Sequence, residues 1–96
     1  MSKPLTDEQI NEALGRLKGW SLQDDKLVKT FTFSTFPEAI SFIVRLAFEA
    51  EQVEHHPEIQ NVYNRVEVSL TTHDAGNRVT GHDVNLAQTI QSFVWV

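Results

Sequence analysis

The stretch from Thr35 to about Val53 carries more apolar surface than one helix packed on one sheet can use. Phe36, Ala39, Ile40, Ile43, Leu46, Ala47 and Ala50 recur at helical spacing, and Phe42, Val44 and Phe48 fall outside that stripe. At about 100° per residue the apolar arc spans well over half the circumference. Ser41, Arg45, Glu49 and Gln52 are left on the polar side. A helix that covers a sheet needs a narrower stripe. The excess calls for a second contact, most simply a homo-oligomer interface through the 35–53 helix, a sheet edge, or both. A thick local core is the other use for it.

The rest of the chain supplies partners for that helix. Thr6 to Leu17 reads as a first helix, with Thr6 and Gln9 at capping-box spacing and Leu5 and Ile10 placed for a hydrophobic staple. Ile10, Ala13, Leu14 and Leu17 form its stripe, and Gly19 is its stop. Trp20 to Gln23 and Lys26 to Phe33 read as a hairpin turning at Asp24-Asp25, with Leu27, Phe31 and Phe33 on one face and Val28, Thr30 and Thr32 on the other. Thr35 and Glu38 repeat the capping-box spacing before the main helix, and Pro37 suits its first turn. Glu58 to Tyr63 and Arg65 to Thr72 read as a second hairpin. Its second arm alternates Val66, Val68, Leu70 and Thr72 with Arg65, Glu67, Ser69 and Thr71, the pattern of a sheet wet on one face. After a polar loop from Asp74 to Val79, Thr80 caps a last helix to about Val94, with Val84, Ala87, Ile90 and Val94 inward. The order is α-β-β-α-β-β-α. It specifies an α+β fold over 1–96 as one domain, a four-stranded antiparallel sheet with the helices packed on one face.

Charge and residue usage narrow the function. The net charge of −5 argues against nucleic acid or an anionic membrane as the main partner, because both select basic patches. The chain has no cysteine, which excludes disulfides, thiol catalysis and thiolate metal sites. Its N-terminus reads as lacking a signal peptide, and no run is long and apolar enough to span a bilayer, so the expected location is cytoplasmic.

The chemistry concentrates in Glu51-Gln-Val-Glu-His55-His56-Pro57. Histidine titrates nearest neutrality of all side chains, so it can give or take a proton at physiological pH. Proline disfavours the helical conformation for the residue before it, so the pair is expected at a helix-to-loop junction. Glu51 and His55, four residues apart, would share a helix face if the helix persisted that far. A carboxylate there orients the imidazole. His73 falls at the end of the fourth strand, on its open side or rim by parity, and His82 reads as an exposed residue near the last cap. Glu51, His55, His56 and His73 also offer metal-ligand chemistry, but there is no HExxH pattern and adjacent histidines rarely face one ion. A metal site is therefore not expected. Trp20, Phe31, Phe33 and Tyr63 read mainly as core.

This constellation resembles the pterin-4a-carbinolamine dehydratase family. Glu51 is followed after three residues by His55-His56-Pro57, then Tyr63 after five, His73 after nine and Asp83 after a further nine. Gly19-Trp20, Phe31-Thr-Phe33, Asn61-Val-Tyr-Asn64, Thr72-His73 and Asn85-Leu-Ala87 agree as well. The resemblance implies a lyase that removes water from a 4a-hydroxytetrahydropterin in tetrahydrobiopterin recycling. It implies His55 and His73 as the acid–base pair and His56 as a partner in positioning or proton transfer. Glu51 would orient a histidine or bind the pterin's amino and amide edge, and Pro57 would fix the turn. Tyr63 and Asp83 would support the site, with Trp20 at its rim. Animal members of the family carry a shorter loop before Asp83 and an arginine at the place of His82. They also act as dimerisation cofactors for a homeodomain transcription factor, which makes a non-enzymatic binding module the alternative.

Overall fold

The computed structural model describes residues 3–96, and the expected element order is present. The helices are α1 (Asp7–Arg16), α2 (Phe36–Gln52) and α3 (Gly81–Phe93), and the strands are β1 (Ser21–Gln23), β2 (Lys26–Thr32), β3 (Glu58–Val62) and β4 (Arg65–Leu70). A single-turn 3-10 helix, His73–Ala75, interrupts the loop before α3. The sheet runs β1-β2-β4-β3 with antiparallel neighbours throughout.

Local chemistry explains most of these boundaries. The Thr6 hydroxyl accepts from Gln9 N–H, and Gln9 Oε1 accepts from Thr6 N–H, which closes the capping box of α1. Asp24 and Asp25 both adopt positive φ, the twist that a two-residue hairpin turn needs and aspartate tolerates. At α2 only half of the expected box forms. The Thr35 hydroxyl accepts from Glu38 N–H, while the Glu38 carboxylate accepts from Trp95 Nε1 at 3.2 Å. The C-terminal segment beyond α3 competes for that carboxylate and wins it.

The inward faces meet as the alternation requires. Leu27, Phe31 and Phe33 of the first hairpin and Val66, Val68 and Leu70 of β4 are buried under the helices. On the other side, Lys26 Nζ meets Glu58 Oε1 at 2.6 Å across β4, and buried Val28 shares that face.

The α2 stripe differs from the sequence reading. Ala39, Phe42, Leu46 and Ala50 are buried. Phe36, Ile40, Ala47, Val44 and Phe48 are exposed, lying roughly 110° further round the helix. Phe42 wins the inward position because it completes a ring cluster, with centroids 4.9 Å from Phe31, 5.1 Å from Phe33 and 5.8 Å from Phe93. Each such aromatic pair adds about 0.5–1.5 kcal/mol to the burial itself, and Phe36 at the helix end cannot reach the cluster's centre. The broad apolar arc thus divides into a core stripe and a separate exposed one. Among the described residues no helix is long and apolar enough to cross a membrane.

Candidate active site

The end of α2 determines where the two histidines go. Val53 caps the helix and Glu54 turns into the left-handed region at φ 52°. Glu54 N–H donates to Glu51 O and His55 N–H donates to Ala50 O, both at 3.1 Å. These are the two bonds of a Schellman termination, built here on a glutamate where glycine is usual. Left-handed backbone costs about 1–2 kcal/mol in a residue with a Cβ, and such strain persists where the surroundings over-determine it. Pro57 then holds His56 extended, so adjacent side chains leave the chain on opposite sides.

One consequence overturns the expected pairing. His55 turns inward, and its Nε2 lies 2.6 Å from Asp83 Oδ1. His56, not His55, meets Glu51, with Nε2 2.8 Å from Oε1. The reason is that α2 stops before His55, so helical i, i+4 geometry never reaches it.

Asp83 is the centre of the arrangement. It is the third residue of α3, and its side chain is 0% exposed, against 13% for His55. Its Oδ2 accepts from Thr80 N–H at 2.8 Å, completing the capping box of α3, and from the Thr72 hydroxyl at 2.7 Å. The Thr72 and Thr80 hydroxyl oxygens lie 2.6 Å apart. Since Thr72 donates to the carboxylate, Thr80 must donate to Thr72. A carboxylate only accepts, so the remaining oxygen requires a proton on His55 Nε2. The direction of every bond in the chain Thr80–Thr72–Asp83–His55 is thereby fixed. Three donors and the positive end of α3 offset the desolvation of a buried carboxylate.

His82, expected to be exposed, is half-buried instead. Its ring lies against that of His55, with centroids 5.7 Å apart and planes at 35°. The capping box of α3 directs it there, because residue 82 immediately precedes the carboxylate that His55 seeks. Val53, His55, His82, Asn85, Leu86 and Thr89 line a cleft of about 100 Å³.

The other expected site residues are dispersed. His73 is exposed at the start of the 3-10 helix, its Nδ1 2.9 Å from Asn77 Oδ1. It follows directly on Thr72, so it borders the network without joining it. Pro57 opens β3 beside His56. Tyr63 lies at the β3–β4 turn, 65% exposed, at the opposite end of that hairpin from His55. Trp20 is buried against Phe31, and its Nε1 donates to Gln91 Oε1 near the far end of α3 from Asp83. Lys29 Nζ also donates to Gln91 Oε1, at 2.8 Å, and burial holds this lysine below its usual pKa. Within one chain, then, neither Tyr63 nor Trp20 meets the histidines, because β-strand length and the length of α3 separate them. Thr72 and Thr80 join the Asp83 network, a contact that residue patterns did not assign to them. The Thr80-x-x-Asp83 cap was readable, but the contact to Thr72 depends on the bridge that pairs Thr72 with Arg78.

A family model described as Pterin 4 alpha carbinolamine dehydratase matches residues 3–93. A protein of Opitutus terrae, provisionally named a pterin-4-alpha-carbinolamine dehydratase, is 54% identical over 92 residues, covering 96% of this chain and 95% of its own length. One from Rhodopseudomonas palustris, named in the same way, is 48% identical over 94 residues, with 96% and 92% covered. Among solved structures, a transcriptional coactivator/pterin dehydratase from Brucella melitensis matches with a TM-score of 0.89 and 39% identity, over 94% of this chain and 97% of that one. A pterin dehydratase-like protein identified as a RuBisCO assembly factor in the alpha-carboxysome matches with a TM-score of 0.66 and 21% identity, over 77% of this chain and 87% of that one. That second likeness is one of fold alone. Fold, motif spacing and full-length similarity converge: the chain belongs to the pterin 4 alpha carbinolamine dehydratase family.

Proposed function

We propose that this protein dehydrates a 4a-hydroxytetrahydropterin to the quinonoid dihydropterin. The observation that carries the reading is the short, part-buried His55–Asp83 bond beside a cleft. In the reaction the C4a–O bond breaks and the hydroxyl leaves as water. N5 loses its proton, and a C4a=N5 double bond forms. Hydroxide is a poor leaving group, so a general acid must reach the hydroxyl while a base reaches N5. Asp83 occupies Nε2 of His55, so the proton transfers of His55 fall to Nδ1. His73, which follows Thr72 in the chain, is the second proton-transfer group. His56, paired with Glu51, positions the bicycle, and the Glu51 carboxylate accepts from the pterin's amide edge. Pro57 sets the angle between His55 and His56. The substrate binds without a metal or other cofactor. The cleft is smaller than the roughly 300–1,000 Å³ of enclosed ligand sites, so the bicycle rests across its mouth.

Stopped-flow decay of freshly generated 4a-hydroxytetrahydropterin, with and without the protein, tests this reading. Acceleration that saturates with substrate is the expected result. Decay unchanged at high protein concentration would remove the dehydratase.

The exposed stripe of Phe36, Ile40, Val44 and Phe48 supports self-association through α2. Phe48 is 72% exposed, so it contributes little to the fold of one chain. Phe48→Glu is therefore expected to fold normally and to run as a smaller assembly by light scattering. An unchanged mass would exclude this stripe as the interface. The same stripe is what a non-enzymatic binding module would use, and that reading asks nothing of His55 or Asp83.

A further inference from the structure

We propose that His82 is a positioning residue, whose flat ring holds the face of the His55 imidazole while Asp83 holds its edge. The inference rests on the dehydratase reading for its kinetic test only. An imidazole turns about two side-chain torsions, and the second is broad and weakly staggered. A single hydrogen bond at Nε2 fixes where the ring is anchored, but the ring can still rock about the line to Asp83 Oδ1. The ring of His82, 5.7 Å away at 35°, blocks that motion on one side. Val53, Asn85, Leu86 and Thr89 complete the lining around the pair. At this centroid distance no bicycle can insert between the two imidazoles, since two stacked layers would need about 7 Å. His82 therefore acts on the substrate through His55.

The backbone of His82 is held in the same cap as Asp83. His82 N–H donates to the Thr80 hydroxyl at 3.2 Å, in the same cap that orients the carboxylate. One helix start thus delivers both restraints on His55 from consecutive residues. What the position needs, on this account, is a flat group of suitable reach rather than a titrating nitrogen. A guanidinium is also flat and stacks on rings.

The test uses His82→Ala, His82→Phe and His82→Arg in the full chain, with two readouts. The first is the long-range 1H–15N spectrum of the histidine rings, which reports the tautomer of His55 and the solvent exchange of its ring proton. Wild-type protein is expected to show a single form with a slowly exchanging proton on Nε2. The alanine variant should keep that tautomer, which Asp83 fixes, but exchange the Nε2 proton faster as the ring rocks, and the phenylalanine and arginine variants should stay close to wild type. The second readout is pterin dehydration. His82→Ala is expected to lower kcat about tenfold with little change in KM, the scale of a misoriented catalytic group. The two flat replacements should restore kcat to within about threefold. An alanine variant with wild-type Nε2 proton exchange and kcat overturns the proposal. So do phenylalanine and arginine variants as impaired as alanine, because the imidazole's own nitrogen would then be the required group. If wild-type protein fails to dehydrate the pterin, the functional reading falls, and the exchange of the His55 ring proton alone decides the role of His82.

Discussion

Asp83→Asn is expected to fold and to lose at least about a hundredfold in turnover, because it forces His55 into the wrong tautomer. The bond directions require it. Thr80 N–H and the Thr72 hydroxyl both need an acceptor on the Oδ2 side. An asparagine satisfies them only by turning its oxygen that way, which aims its NH2 at His55 Nε2. Two donors cannot face each other at 2.6 Å, so His55 must move its proton to Nδ1 and accept at Nε2. The nitrogen that should serve the substrate is then blocked in the neutral ring. Stability should drop only modestly, by about 1–2 kcal/mol, since the number of hydrogen bonds is kept and only the charge at the helix start is lost.

Asp83→Ala separates the carboxylate's structural task from its chemical one. It leaves Thr80 N–H, the Thr72 hydroxyl and the His55 ring without their buried acceptor. The expected loss is about 3–5 kcal/mol, a large share of the roughly 5–15 kcal/mol that holds a domain together. Thermal unfolding should show the alanine variant far below the asparagine variant, while both are inactive. An asparagine variant with wild-type turnover would show that the tautomer of His55 does not matter, and the proposed use of Nδ1 would have to be abandoned.

The contrast between Asp83 and Glu51 shows where residue patterns lose their force. The Thr6–Gln9 cap, the Asp24-Asp25 turn and the β4 alternation are all local, governed by residues within four positions of one another, and each is legible as a pattern. The Glu51–His55 pairing is local as well, but it requires a helix that continues. The helix instead ends in a left-handed Glu54, a conformation that no glycine marked beforehand. That one residue exchanges the partners of both histidines. Phe42 shows the same limit in packing. Its place on the wheel left it outside the expected stripe, and only the positions of Phe31, Phe33 and Phe93 draw it inward. For Tyr63 and Trp20 the motif spacing carried a role in the site, but spacing along the chain does not report which end of a hairpin or helix a residue occupies. His82 combined both difficulties, since its burial depends on where His55 turns.

The second large effect is expected from His55→Ala, and its comparison with His73→Ala decides how many histidines share the chemistry. His55→Ala should lower turnover by at least about a hundredfold and also cost about 1–3 kcal/mol, because it strips a buried carboxylate of one donor. Activity and stability thus fall together, so this variant alone cannot tell a catalytic histidine from a structural one. Combining it with Asp83→Asn resolves the matter. If the two residues act as a unit, the double variant should be about as slow as the worse single one, and independent roles would instead multiply. His73 gives the cleaner case. It is exposed and its ring bonds to the neighbouring loop residue Asn77, so His73→Ala should change stability by less than about 0.5 kcal/mol. A hundredfold loss of turnover in so stable a variant can arise only at the substrate. Full turnover would remove His73 from the acid–base pair, and His55 would then have to take the proton from N5 and return it to the departing hydroxyl within one encounter. That mechanism is chemically sound because the two reacting atoms are bonded neighbours, C4a and N5, and a single imidazole can serve both in turn. The His73 measurement therefore chooses between two mechanisms that the buried His55–Asp83 pair permits equally.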